Sequence, residues 1–248
     1  MPRSSKIAPN RHANHPFDRK YGVDTGGYLS PEDLRQDSAS DAWNNGYSAV
    51  APSVFREACR RWRETLASSA ARVEAYTFVD VGAGKGRALL LASELPFRKV
   101  IGIELNEGLA RIAQRNVTIW KRSAHPRARI YVRREDALEF RWPRPPLLVY
   151  LNNPFECELV ERLAGKLAGA AESGPGLVDV LYVNPACVEA FSRSRQSVGH
   201  VAPAVQNPRE KSSFQLLWNA EIEMDSADQQ ADPYGAASDR VAAFRFRP

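Results

Sequence analysis

The ten residues Phe78-Val79-Asp80-Val81-Gly82-Ala83-Gly84-Lys85-Gly86-Arg87 constrain the fold of this chain more than any other stretch. An apolar run of strand length empties into glycines at alternate positions, and an apolar-periodic segment, Arg87 to Leu95, follows at once. Glycine lets the main chain turn sharply and lets a ligand approach where a side chain would collide. The segment predicts a buried strand, a binding turn and a helix, which is how an α/β sheet with a ligand at its strand ends begins.

The rest of the chain repeats that rhythm. Short apolar runs at Tyr76 to Val81, Val100 to Leu105, Arg129 to Val132, Leu147 to Leu151 and Val178 to Val183 alternate with helical patterns at Arg87 to Leu95, Glu107 to Lys121 and Glu156 to Ala171. Strands alternating with helices of this size imply right-handed crossovers and a mostly parallel sheet with helices on both faces. Two further strands are predicted at Phe214 to Ile222 and Val241 to Phe246, with a polar loop or short helix from Asp225 to Asp239. Ahead of the first strand, Val54, Phe55, Ala58, Cys59, Trp62 and Leu66 recur at helical spacing, with Ser53 placed to cap that helix. Residues 1–52 are read as a partly flexible N-terminal extension of loops and short helical turns, a candidate lid, and 53–248 as the main domain.

Composition excludes several classes. At 248 residues the chain closes one good core with an appendage, and two full domains would be cramped. No apolar run approaches membrane-span length, and the basic start, Arg3, Lys6, Arg11, Arg19 and Lys20, lacks the apolar core of a secretory signal. Three widely spaced cysteines, Cys59, Cys157 and Cys187, suggest neither a disulfide framework nor a zinc site and fit a reducing compartment, so a cytoplasmic location is expected. The histidines, His12, His15, His125 and His200, show no metal-ligand spacing. A net charge of +5 favours acidic partners only mildly.

Spacing then selects the ligand. A dinucleotide fingerprint reads G-x-G-x-x-G, whereas here the pattern is G-x-G-x-G with Arg87 where the third glycine would stand. Asp80 at the strand end would repel a pyrophosphate. A ligand that carries positive charge and no phosphate suits the turn, and S-adenosylmethionine, with its ammonium and sulfonium groups, is such a ligand. Glu104, ending the second strand beside Leu105, is placed to accept hydrogen bonds from ribose hydroxyls, and Asp136, beside Ala137 after the third strand, to receive an adenine amino group. Each acid alone is a commonplace helix cap. Three in order after successive strands point to an adenosine site.

From Tyr47 to Asn184 the chain resembles the class I, Rossmann-like methyltransferases that use S-adenosylmethionine. The resemblance lies in the glycine-rich first motif and the acids ending the second and third strands. It implies a seven-stranded sheet with a reversed strand, and a cofactor site made of Asp80, Gly82, Ala83, Gly84, Gly86, Glu104, Leu105, Asp136, Ala137 and Asn153. Tyr47, in the loop before the first main helix, is added by a slighter resemblance to lysine methyltransferases, whose loop there closes over the cofactor.

The fourth strand ends in Tyr150-Leu151-Asn152-Asn153-Pro154-Phe155-Glu156, where the methyl acceptor of an open sheet would lie. Nitrogen-methylating families carry Asn or Asp, two prolines and an aromatic residue here. This chain has one proline, and the stretch is similar to the Asn-Asn-Phe segment of non-SET histone-lysine methyltransferases. That resemblance implies that Asn153 and the carbonyls around Pro154 orient the acceptor while Phe155 walls the pocket. A protein lysine or other amine is the first expectation for the acceptor, with RNA and a small metabolite as alternatives. The rivals are an NAD-dependent oxidoreductase and a non-catalytic binding protein with the same fold. No membrane partner is expected.

Overall fold

A computed structural model describes residues 15–35, 46–67, 71–124, 126–153, 155–172, 174–191 and 213–247. The basic residues Arg3, Lys6 and Arg11, along with His12, His125, Pro154 and His200, lie outside them.

The main sheet contains β3 (Thr77–Val81), β4 (Lys99–Ile103), β5 (Ile130–Arg133), β6 (Leu147–Asn152), β7 (Val178–Val183), β8 (Ser213–Glu223) and β9 (Ser238–Arg247). Its seven strands run in the order β5-β4-β3-β6-β7-β9-β8. The first five in that order are parallel, and β9 is antiparallel to both its neighbours. Every residue of β3 and β7 is buried, as strands covered on both faces require. The expected seven-stranded, mostly parallel sheet is present.

On one face lie α2 (Pro52–Glu64), α3 (Arg87–Ala92) and α4 (Glu107–Ser123), whose Phe55, Trp62, Leu89 and Trp120 share a core with Phe78 and Tyr150 of the sheet. On the other, α5 (Cys157–Glu172) packs Val160, Leu163 and Leu167 against Val149 and Val180. Helix α3 lies close over the sheet: a Cβ on Gly86, which has φ +89°, would stand 3.2 Å from the Cβ of Ala113 in α4.

Two expectations need correction. Helix α2 is capped by Ala51, with Pro52 in the first turn, so Ser53 sits inside the helix. The Ser53 amide and hydroxyl instead donate to Asp228 Oδ2, at 2.7 and 2.5 Å. Asp228 belongs to α6 (Ser226–Ala231), which fills the stretch predicted as a loop or short helix. The described part of the N-terminal extension packs on the main domain: α1 (Pro16–Tyr21) places Phe17 in the main core, and β1 (Tyr28–Leu29) pairs with β2 (Tyr47–Ser48). Finally, Cys157 and Cys187 are joined by a disulfide, with Cα atoms 5.4 Å apart. The parallel neighbours β6 and β7 bring the loops that follow them side by side, so residues 30 apart in sequence meet. Cysteine count therefore gives no support to a reducing compartment. No described helix is long and apolar enough to cross a membrane.

Candidate functional site

A cavity of about 350 Å³ opens at the carboxyl ends of β3, β4, β5 and β6, within the size range of small-molecule sites. Its floor is the glycine turn. Gly82, Gly84 and Gly86 all have positive φ, and the amides of Gly82 and Ala83 both donate to the Ile103 carbonyl, at 2.9 Å, so the turn is pinned to β4. Glu104 finishes the clamp: Oε2 accepts from the Gly84 amide and Oε1 from the Asn106 amide, both at 2.7 Å. Burial raises the Glu104 pKa, opposed by the hydrogen bonds from the Asn106, Gly84 and Leu105 amides.

Asp80 lies opposite Gly102 on one side and Tyr150 on the other, in the centre of the parallel sheet. It is 3 % exposed. No donor among the described residues is hydrogen-bonded to its carboxylate. Burial first, and the nearby Glu104 charge second, push its pKa up to about 8. The Tyr150 hydroxyl on the same wall is buried and has no hydrogen-bond partner among the described residues. Two acids and an unmet hydroxyl thus face a cavity with no cation hydrogen-bonded to either acid, an arrangement that disfavours the charged carboxylates unless a positively charged ligand enters.

The roof comes from the N-terminal segment. The Tyr47 ring covers the turn: a Cβ on Gly84 would come within 2.2 Å of Tyr47 Cε2. The Tyr47 hydroxyl donates to the Thr25 carbonyl at 2.6 Å, and its burial raises the phenol pKa well above the usual range. Arg87 holds this segment down. Its Nε donates to Thr25 Oγ1 at 2.7 Å, and its guanidinium lies 3.5 Å from Asp18. Lys85 Nζ pairs with Asp24 at 3.0 Å and donates to the Gly26 carbonyl at 2.8 Å. Buried Asn116 of α4 ties Asp24 and Lys85 together through their main-chain groups.

Leu105, Asp136, Ala137 and Leu138 also line the cavity, with Asp136 Oδ1 accepting from the Leu138 amide at 2.8 Å. On the side of β6 the wall is Asn152, Phe155, Leu159 and Arg162. Asn152 Nδ2 donates to the Ser48 carbonyl at 3.0 Å, joining the strand end to the roof. Asn153, with φ 44°, turns the chain away from β6 and does not line the cavity.

The structure therefore brings Tyr47, Asp80, Gly82, Ala83, Gly84, Glu104, Leu105, Asp136, Ala137 and Phe155 around one cavity. Gly86 and Asn153 are outside its wall, and Pro154 is outside the described residues. Sequence reasoning gave no role to Arg87 and Arg162, while Tyr150 and Asn152 lay in the strand-end segment expected to face the acceptor. Arg87 had a visible signal, an arginine in place of a packing glycine, but its partners Asp18 and Thr25 lie in a segment without periodicity.

No family profile matches the chain, and no curated protein matches it. Solved structures do. The N-methyltransferase NodS from Bradyrhizobium japonicum WM9 is similar at 12% identity and a TM-score of 0.47, over 78% of this chain and 96% of that one. Magnesium protoporphyrin IX methyltransferase from Synechocystis PCC 6803, solved with bound SAM, is similar at 10% identity and a TM-score of 0.48, over 78% of this chain and 79% of that one. YcgJ from Bacillus subtilis is similar at 12% identity and a TM-score of 0.47, over 77% and 98%. These are likenesses of fold. With its strand order and its reversed β9 next to last, the chain has the seven-stranded, Rossmann-like α/β architecture expected from its sequence.

Proposed function

We propose that this chain is an enzyme that binds S-adenosylmethionine in the cavity above the glycine turn and transfers its methyl group to an acceptor nitrogen. The observation that carries this reading is the pair of buried carboxylates, Asp80 and Glu104, facing a cavity of the right size with no cation hydrogen-bonded to them. A phosphate-bearing dinucleotide would add negative charge to that place, and a sulfonium or ammonium would relieve it.

In this reading Asp80 holds the cationic amino-acid end of the donor. Glu104 keeps lone pairs beyond its two amide bonds and accepts from the ribose hydroxyls. Leu105, Ala137 and Leu138 flank the adenine, Asp136 receives its amino group, and Tyr47 closes the roof. When bound, the donor supplies a methyl group already activated on sulfur. The protein has to align a lone pair behind that methyl and exclude water. Phe155 and Asn152 stand where an acceptor would enter, and Asn153, outside the cavity wall, acts on it only through the turn that sets these two residues in place. An acceptor amine arrives there as the free base once it is desolvated. A protein lysine or another amine is the acceptor we infer from the Asn-Asn-Pro-Phe segment.

Calorimetry against S-adenosylhomocysteine and NAD, with radiolabelled methyl transfer into fractionated cell extract, tests this reading. Uptake of the first ligand alone and label in the protein fraction are expected. Tight NAD binding with no affinity for S-adenosylhomocysteine would refute it. Substituting Asn153 by Ala without change in transfer to the true acceptor would remove that residue's role.

A further inference from the structure

Strand β5 is one edge of the main sheet, β8 being the other. Its Ile130 and Val132 face the layer of α4, in a cluster with Val117 and Trp120. Side chains alternate along a strand, so Arg129, Tyr131 and Arg133 stand on the opposite face. Helix α5 covers β6 and β7 on that side, and the three side chains are exposed, Tyr131 at 43 %. Arg127, at the foot of the strand, is exposed as well. None of these arginines forms an ion pair among the described residues, whereas the next residue, Arg134, is paired with Glu107 at 2.8 Å.

Charges on an edge strand discourage sheet-to-sheet aggregation, and a lysine or arginine alone would serve that end. An aromatic ring left in water between two unneutralised arginines would not, because it adds the apolar surface that such protection removes. The spacing has a different use. Along a strand, Tyr131 lies about 6.6 Å from Arg129 and from Arg133. A base stacked on the ring leaves the phosphates on either side within reach of the guanidinium groups. The strand also has a direction: it runs parallel to β4 and ends at Glu135 and Asp136, which line the cavity.

We infer that Arg127, Arg129, Tyr131 and Arg133 form a docking track for a single-stranded polynucleotide, laid along β5 toward the cavity. Cationic contacts track the backbone and the ring stacks on a base, without reading sequence. The track does not depend on the methyl-transfer proposal, because no residue in it lines the cavity.

The test uses the full chain and a fluorescein-labelled oligouridylate in anisotropy titrations over a range of salt. The triple variant R127Q/R129Q/R133Q is expected to weaken binding at least tenfold at low salt and to flatten the plot of log affinity against log salt by about two units. Tyr131→Ala is expected to weaken binding about tenfold with the salt slope unchanged, the mark of lost stacking. A control with three helix arginines replaced, R60Q/R63Q/R111Q, should bind as the parent does. The inference is overturned if the parent chain does not bind the oligomer at low salt, if the control loses as much as the track variant, or if the same arginines bind phosphatidylserine vesicles and not the oligomer. Affinity for S-adenosylhomocysteine, measured in parallel, should be the same in all variants. Its absence in the parent would count against the methyltransferase proposal and leave the track standing.

Discussion

Two carboxylates buried in the same sheet, Asp179 and Asp80, have opposite surroundings. Asp179, fully buried in β7 near the amino ends of the parallel strands, sits directly across from Arg245 of β9. Arg245 donates to both its oxygens, at 2.7 and 3.0 Å, and Trp62 Nε1 and the Tyr76 hydroxyl add bonds of 2.8 and 3.3 Å. The pairing raises the Arg245 pKa. Asp80, toward the other end of β3, has a second acid as its charged neighbour and a pKa raised by burial. A buried charge that the protein itself neutralises is part of the architecture, whereas one left unneutralised beside a cavity is poised for what the cavity receives.

Isosteric substitution separates the two ends. Asp179→Asn leaves Arg245 buried without its counter-charge, and should lower the unfolding free energy of the ligand-free chain by about 3 kcal/mol, read from chemical denaturation. Asp80→Asn removes a burial penalty, so the ligand-free chain should be no less stable than its parent. Its affinity for S-adenosylmethionine should fall by about 2–5 kcal/mol, from loss of the carboxylate that meets the cation at that position. If Asp80→Asn destabilised the empty protein as much as Asp179→Asn does, the two acids would be alike and the comparison would collapse.

The unequal legibility of these sites has a physical basis. Asp80 and Glu104 announce themselves because strand ends next to a glycine turn are close in sequence to the motif that explains them. The Asp179–Arg245 pair joins residues 66 apart through an antiparallel strand, and nothing local in either segment indicates the partner. The disulfide was hidden for the same reason, since only the adjacency of β6 and β7 brings Cys157 to Cys187. Gly86 looked like a ligand-binding glycine because spacing cannot distinguish an approaching ligand from an approaching helix, and here it is α4 that approaches. The seven strands of the main sheet are readable from their apolar runs, whereas the two-residue β1 and β2 are too short to leave a pattern. The N-terminal roof was not, because its hold on the turn depends on single polar contacts such as Arg87 to Thr25.

A pH series sharpens the contrast further. The folded pKa of Asp80 is raised from its ordinary 3.8 to about 8, so between those values the folded chain holds a proton that the unfolded chain has released. Stability of the ligand-free protein from this group is therefore greatest at low pH and declines as pH rises through that window. Cofactor affinity should move the other way. A cation binds the ionised carboxylate, so affinity should rise by up to about tenfold per pH unit below the shifted pKa and level off above it. Calorimetry in buffers of different ionisation enthalpy should detect the released proton, and Asp80→Asn should flatten both trends. A pH-independent affinity in the parent chain would show that Asp80 does not meet the cation.

The smallest effect compares two buried tyrosines. Tyr76 donates its hydroxyl to Asp179, and Tyr150 presents an unpartnered hydroxyl to the cavity beside Asp80. Replacing Tyr76 by Phe removes a made hydrogen bond and should lower stability by about 1 kcal/mol. Replacing Tyr150 by Phe removes only an unmet polar group, so the empty protein should be equally stable or slightly more so. If the hydroxyl bonds to the donor, the same change should weaken its binding by about 0.5–1.5 kcal/mol. A stability loss at Tyr150 equal to that at Tyr76 would mean that its hydroxyl already has a structural partner in solution, and the cavity wall would then be complete without a ligand.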